Sequence, residues 1–154
     1  MKHLLLILFL LALRPSDAVA QNIAYGDRVP KINKGIDWLN EQPPVASKYI
    51  FIQFCSTKNP ASMDAIAVLH NIEQHTQGRL AVVIIGRESQ HTLLPYVEEL
   101  LSPHFTAIAD PERKIFSEFN VNFVPFGILV DAKRKAVWMG NLMREHESLI
   151  ELIQ

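Results

Sequence analysis

Cys55 is the residue with the clearest potential for chemistry, because it is the only cysteine among the 154 residues. A cysteine thiolate is a nucleophile and can exchange with disulfides. A single thiol excludes an intramolecular disulfide, an internal dithiol reaction and zinc sites that need several cysteines. Two interpretations of Cys55 stay open. It is either a reactive thiol that forms mixed disulfides with external thiols or an inert thiol inside the fold, and the frequent burial of cysteine favours the second.

The other residue types that often perform chemistry show no matching pattern. Among the six histidines, His70 and His75 are five positions apart, which places them on different faces of a helix. The sequence contains no His-Glu-x-x-His motif, no glycine-rich phosphate loop and no Gly-x-Ser-x-Gly elbow. We therefore expect neither a metal nor a cofactor.

The composition is that of one globular domain. The chain is 49% apolar and 20% charged, and 15 basic and 16 acidic residues give a net charge of −1. Neither sign dominates, which argues against a nucleic-acid partner or a polybasic membrane-surface protein. A chain of this length has room for one core and not for two.

Residues 1–20 have the pattern of a secretory signal peptide. A short basic start precedes an apolar run from Leu4 to Leu13, and small residues precede a predicted cleavage between Ala20 and Gln21. The apolar run is shorter than the roughly 20 residues that span a bilayer. We therefore expect an exported protein, periplasmic or extracellular, with no stable membrane anchor after cleavage and one domain over residues 21–154.

The mature sequence alternates between the periodicities of strands and helices. Strands are predicted over residues 48–55, 80–86, 106–109, 126–131 and 136–139, and helices over 60–77, 88–101, 111–119 and 144–153. A short helical stretch is also predicted over 36–40, and Asp110 is predicted to cap the helix at 111–119, with Pro111 at its first position. Alternation favours parallel strands with helical crossovers, and the last two strands form a hairpin. The predicted fold is an α/β sandwich with a mixed sheet.

Four segments, through their order and spacing, carry a resemblance to a known family. Tyr25–Pro30 reads like a Gly-Asp-x-x-Pro entry, and Phe51–Thr57 like a strand that leads into an active-site helix. Val121–Pro125 matches the approach to a cis-proline, and Phe126–Asp131 the strand that follows it. Together they resemble the thioredoxin superfamily and its exported TlpA-like branch over nearly the whole mature chain. The resemblance implies a thioredoxin-like three-layer α/β sandwich, with a central mixed sheet flanked by helices.

The family's Cys-Pro-x-Cys motif falls on Asn59, Pro60, Ala61 and Ser62 when positions are counted without gaps from Phe54. The proline is kept and both cysteines are absent. Dithiol exchange needs a thiol at a helix N-terminus and a second thiol one turn later. Asn59 and Pro60 still specify a helix start, so the substitution implies that the helix remains while its redox chemistry is lost.

The resemblance implies two further features of this site. It implies a cis peptide bond before Pro125 and a backbone at Val124 that binds an extended peptide by strand addition. Whether this proline serves binding or only the turn stays open. The buried acid of the family's simplest members falls on Gln53, which cannot ionise.

These observations give three functional hypotheses. The first is an exported thioredoxin-fold protein without dithiol redox activity, a binding or scaffolding module in the cell envelope that holds an extended peptide or partner protein at the Pro125 groove. The second is a thiol–disulfide oxidoreductase, or a thiol-dependent antioxidant protein, that works through Cys55. A peroxiredoxin-like peroxidase ranks last, because no Pro-x-x-x-Thr-x-x-Cys motif lies in the right place.

Overall fold

The structure is a computed structural model of the chain, and it describes residues 23–32, 36–40 and 44–154. The predicted signal peptide and its cleavage site between Ala20 and Gln21 lie outside the described residues, so both stay predictions. Within the described part, none of the helices has the length and the hydrophobicity that crossing a membrane requires.

Strands and helices alternate along the described chain in the predicted order. The elements are β1 (Tyr49–Cys55), α1 (Pro60–Gln74), β2 (Leu80–Gly86), α2 (Gln90–Val97), β3 (Phe105–Ala109), α3 (Lys114–Glu118), β4 (Phe126–Asp131), β5 (Ala136–Gly140) and α4 (Leu142–Ile153). A 3₁₀ turn, Glu98–Leu100, follows α2 directly.

The five strands form one mixed sheet in the order β3-β2-β1-β4-β5. The strands β1, β2 and β3 are parallel, whereas β4 runs antiparallel to β1 and β5 antiparallel to β4. The predicted mixed sheet with flanking helices is therefore confirmed. Because parallel strands end at the same edge, the loops after β1, β2 and β3 lie together there.

Two apolar layers cover the sheet, and β1 contributes side chains to both. Phe51 and Cys55 belong to the layer beneath α1 and α4, whereas Ile52 and Phe54 belong to the layer beneath α3. The ring of Phe54 meets that of Phe116 edge to face, with 4.9 Å between centroids. Successive residues of β1 therefore face opposite sides of the sheet, which places Cys55 on the side that α1 covers.

Several predicted helices have different bounds in the structure. The first ends at Gln74 rather than 77, because Gln77 (φ 53°) and Gly78 (φ 78°) adopt left-handed conformations that no helix can continue through. The helix predicted over 36–40 is wrong. Trp38 instead forms a β-bridge with Ile108 and so extends the sheet beyond the β3 edge.

The prediction that a helix begins at Pro111 with Asp110 as its N-cap is also wrong. Arg113 has a left-handed backbone (φ 56°), and α3 begins after it, at Lys114. The carboxylate of Asp110 nevertheless accepts hydrogen bonds from the backbone N–H groups of Lys114 (2.9 Å) and Phe116 (3.0 Å). Asp110 therefore accepts hydrogen bonds from N–H groups in the first turn of α3, although it lies four residues before the helix begins.

Candidate functional site

The candidate site lies at the edge of the sheet where the parallel strands end. The backbone N–H of Arg87, just after β2, donates to the carbonyl of Cys55 at the end of β1 (3.2 Å). The N–H of Asp110, just after β3, donates to the carbonyl of Gly86 (2.8 Å). These bonds hold the three loops in contact, so that the start of α1 and the loop before β4 share one surface.

Asn59 joins the start of α1 to the loop that precedes β4. Its Oδ1 accepts the backbone N–H of Ser62 (3.1 Å), which makes it the N-cap, and Pro60 occupies the first helical position. Its Nδ2 donates to the carbonyl of Val124 (3.1 Å). A single amide side chain therefore satisfies a free helical donor and also fixes the backbone of the neighbouring loop.

Ser62 lies three residues after Asn59, completely buried beneath the first turn of α1. Its Oγ accepts the backbone N–H of Ser56, which is 3.3 Å away. Ala61 between them is half-buried and carries no polar group. The polar atoms at both ends of the Asn-Pro-Ala-Ser segment are thus engaged in holding the turn between β1 and α1.

Glu88 supports the same turn from the loop after β2. Its Oε1 accepts a hydrogen bond from the Ser56 hydroxyl (2.6 Å) and another from the Thr57 N–H (3.1 Å). Sequence reasoning placed Glu88 in a helix, whereas α2 begins only at Gln90. No local signal identifies this role, because the contacts connect residues more than thirty positions apart.

Cys55 is completely buried at the end of β1. Burial raises the pKa of its thiol well above the usual range, and the Glu88 carboxylate raises it further, whereas Arg87 lowers it. The thiol is consequently protonated and inaccessible in the folded protein. These features favour the inert interpretation of Cys55, since reactive cysteines have accessible, ionised thiols.

The loop before β4 has the predicted cis peptide bond between Val124 and Pro125. The carbonyl of Val124 accepts the Asn59 amide, whereas its N–H has no acceptor among the described residues. Phe123 is 61% exposed and packs edge to face against Phe126, with 5.2 Å between ring centroids. An open backbone donor and an exposed aromatic ring thus lie beside the start of α1.

Gln53 occupies the sheet beneath this site and is completely buried. Its Nε2 donates to the carbonyl of Phe54 (3.0 Å), and its Oε1 has no hydrogen-bond partner among the described residues. A Cβ atom at Gly127 would lie 2.4 Å from the Phe51 ring and 3.2 Å from Gln53 Oε1, so glycine is required there. The amide can accept a hydrogen bond but cannot take up a proton as a buried carboxylate does.

Within residues 23–32, 36–40 and 44–154, no three side chains of His, Cys, Asp or Glu are close enough to hold a metal ion. The two histidines singled out from the sequence have separate surroundings. His70 packs edge to face on Phe105, and the exposed His75 contacts the backbone carbonyl of Asn71 through Nδ1 (2.7 Å).

Comparison with solved structures shows several thioredoxin-fold proteins that act on disulfides. A thio-disulfide isomerase from Thermus thermophilus is 20% identical, with a TM-score of 0.67 over 85% of this chain and 95% of that one. The thioredoxin domain of a thiol-disulfide oxidoreductase from Bacteroides vulgatus is 13% identical, with a TM-score of 0.69 over 86% and 99%. A secreted Mycobacterium tuberculosis disulfide oxidoreductase, homologous to E. coli DsbE, is 16% identical, with a TM-score of 0.57 over 69% and 80%.

No family model matches the sequence, and a search of curated proteins finds no match. At these identities the structural likeness concerns the backbone alone, and it agrees with the five-stranded mixed sheet and its flanking helices. The chain therefore has a thioredoxin-like α/β fold.

Proposed function

We propose that this protein is an exported, TlpA-like thioredoxin-fold protein without dithiol redox activity, which acts as a binding or scaffolding module in the cell envelope. The observation that carries the proposal is the pair of hydrogen bonds made by Asn59, to Ser62 N–H and to the Val124 carbonyl. In this proposal, Asn59 and Ser62 stand where the family has its two cysteines. Their side chains hold the helix start and the adjacent loop together and have no thiol to exchange.

Loss of the thiols leaves a surface suited to binding. The N–H of Val124 is open, and the Phe123 ring beside it is largely exposed. An extended segment of a partner can pair with the open N–H by strand addition and pack an apolar side chain on the ring. Asn59 already holds this loop in place, so binding a partner carries a smaller entropic cost of ordering the loop.

Export is supported by two independent features. Residues 1–20 have the pattern of a signal peptide, with small residues before Gln21. One structural neighbour, the DsbE homologue from Mycobacterium tuberculosis, is a secreted protein. The proposed location is therefore periplasmic or extracellular, where a protein with one inaccessible thiol is protected from forming unwanted disulfides.

The alternative function, redox chemistry through Cys55, has no supporting geometry. Its thiol is completely buried, whereas the exposed start of α1 carries no thiol. A reaction with an external thiol requires β1 and α1 to separate first. The alternative is retained only as an outcome of the experiments below.

Binding can be tested with reduced, carboxymethylated α-lactalbumin, which is a permanently unfolded protein. We expect saturable changes in the backbone NMR signals of residues 122–126, and weaker binding by Phe123→Ala. The matched control is Tyr96→Ala on α2, another exposed aromatic residue (52% exposed) that lies outside this loop. No saturable binding, or changes confined to other surfaces, would contradict the proposal.

A further inference from the structure

We propose that the segment bound at the Val124 loop is acidic, with carboxylates on both sides of the residue that pairs with Val124. This inference rests on the proposed function and adds the chemistry of the partner. It is carried by two cations on the two neighbouring loops: Lys58 lies between β1 and α1, and Arg87 directly follows β2.

Lys58 approaches the site through the turn between β1 and α1. It is exposed and directly precedes Asn59, whose side chain contacts the Val124 carbonyl. Its backbone N–H donates to Ser56 Oγ (3.3 Å), which fixes the start of the side chain. Its ammonium group makes no ion pair within the described chain.

Arg87 approaches the same loop from the end of β2. One guanidinium nitrogen, Nη2, lies 3.5 Å from the carbonyl of Asn122, two residues before Val124. The guanidinium also lies over the Phe116 ring, 5.2 Å from its centroid, which orients its plane. Its Nε is buried without an acceptor, so the outer guanidinium nitrogens are the donors that a bound segment can reach.

The two carboxylates at this edge, Glu88 and Asp110, make no ion pair with Lys58 or Arg87. Glu88 accepts hydrogen bonds from Ser56 and Thr57, and Asp110 accepts two from the start of α3. The second oxygen of Glu88, Oε2, is buried and has no hydrogen-bond partner among the described residues. The one ion pair found among the described residues, between Glu112 and Lys114, joins two exposed side chains. An incoming carboxylate therefore meets Lys58 and Arg87 without a competing carboxylate paired to either.

An added strand presents its side chains alternately to the two sides of the sheet. One set can pack on Phe123, which is largely exposed, while charged residues reach the two cations. The geometry therefore fits a segment that combines acidic and apolar residues. Lys58 is exposed and Arg87 is half-buried, so the pairs that they form with a bound carboxylate remain in contact with solvent and are screened by salt.

The test uses three synthetic peptides that alternate valine with glutamate, glutamine or lysine and are otherwise identical. Affinity for the full chain is measured by NMR titration at low and at high salt. We expect the glutamate peptide to bind roughly fivefold tighter than the glutamine peptide, as two exposed ion pairs would give, and the lysine peptide to bind most weakly. High salt should remove most of this preference.

Lys58→Gln and Arg87→Gln should each lower the affinity for the glutamate peptide and leave the glutamine peptide nearly unchanged. The control is Lys133→Gln, an exposed cation between β4 and β5 at the opposite edge of the sheet, which should change neither affinity. Equal binding of the glutamate and glutamine peptides, or a preference for lysine, would overturn the acidic preference and leave the binding function standing. Absence of binding by all three peptides would overturn both.

Discussion

Cys55 at the end of β1 and Asn59, the N-cap of α1, are four residues apart in sequence. Each provides one of the two features that a reactive cysteine needs. Cys55 has a thiol but is buried, with its pKa raised by burial. Asn59 begins a helix whose N-terminal dipole and free N–H groups stabilise an anion, but it has no thiol. The chain therefore contains both elements of a reactive cysteine, in places where they cannot act together.

The contrast separates what the fold requires from what the chemistry requires. A helix start needs an acceptor for its free N–H groups, and Asn59 supplies one that a cysteine supplies poorly. The same side chain also binds the Val124 carbonyl, which ties the helix to the loop. An amide at this position therefore supplies rigidity and no thiol reactivity.

The largest expected effect comes from introducing thiols at the start of α1. The double substitution Asn59→Cys and Ser62→Cys should create a pair that forms a disulfide, because the two positions lie one turn apart on a helix that begins with Pro60. Thiol counting by mass should show the bridge, and dithiol-dependent reduction of a disulfide-bonded protein should become measurable.

Losing the Asn59 cap costs about 0.5–2 kcal/mol, so folding of this variant is verified first. This variant and its control are both made in a Cys55→Ala background, so that Cys55 cannot pair with a new thiol. The control is the single Ser62→Cys substitution, which then has no second thiol and should form no internal bridge. A folded double variant whose new thiols stay reduced under oxidising conditions would show that the family motif does not fall on residues 59–62.

The second effect concerns access to Cys55. Labelling by an alkylating reagent at neutral pH should be at least about a hundredfold slower in the folded protein than in denaturant, since it requires local or global opening. The comparison is made by mass spectrometry on the same sample with and without denaturant. Fast labelling of the native chain would show that Cys55 is accessible and reactive, and would favour the alternative function.

Burial of Cys55 also predicts a pH dependence of stability. The unfolded thiol ionises near pH 8.5, whereas the folded thiol, with its raised pKa, stays protonated. The unfolded state then binds fewer protons, so the free energy of unfolding should fall by up to about 1.4 kcal/mol per pH unit above about pH 8.5. Urea unfolding at several pH values, compared with Cys55→Ala, isolates this contribution. An equal slope in both proteins would refute it.

The smallest effect distinguishes the two hydrogen bonds of Asn59. Asn59→Ala removes both and should lower the free energy of unfolding by roughly 0.5–2 kcal/mol. Asn59→Asp keeps an N-cap acceptor but places a carboxylate oxygen where the donor to the Val124 carbonyl was, so it should be less stable than the wild type and should alter the NMR signals of residues 122–126. Identical loop signals in the aspartate variant and the wild type would mean that Asn59 does not fix the loop.

Much of this architecture follows from local sequence signals. Buried strands such as Leu80–Gly86 and Phe126–Asp131 were predictable to the residue, because a continuous apolar run bounded by polar residues has few alternatives. The cap at Asn59 was equally predictable from Asn-Pro at a helix start. Helix ends were less predictable. Left-handed residues such as Gln77 and Arg113 have no distinctive side chain to indicate their conformation.

The remaining features of the site depend on contacts between distant segments. Glu88 reaches Ser56, and Asn59 reaches Val124, across separations of 32 and 65 positions. Neither pairing leaves a periodic or local pattern in the sequence. The burial of Cys55 was only partly predictable. Strand alternation indicates the face of the sheet on which Cys55 lies, but only the packing of α1 shows that this face is covered at that point.

The central claim is that the start of α1 has kept its architecture and lost its thiol chemistry. The most direct test measures dithiol-dependent reduction of a disulfide-bonded protein by the wild-type chain and by Cys55→Ala. We expect both proteins to match the rate of the dithiol alone. A wild-type rate clearly above that background, which disappears in Cys55→Ala, would contradict the claim and place catalysis at the buried thiol.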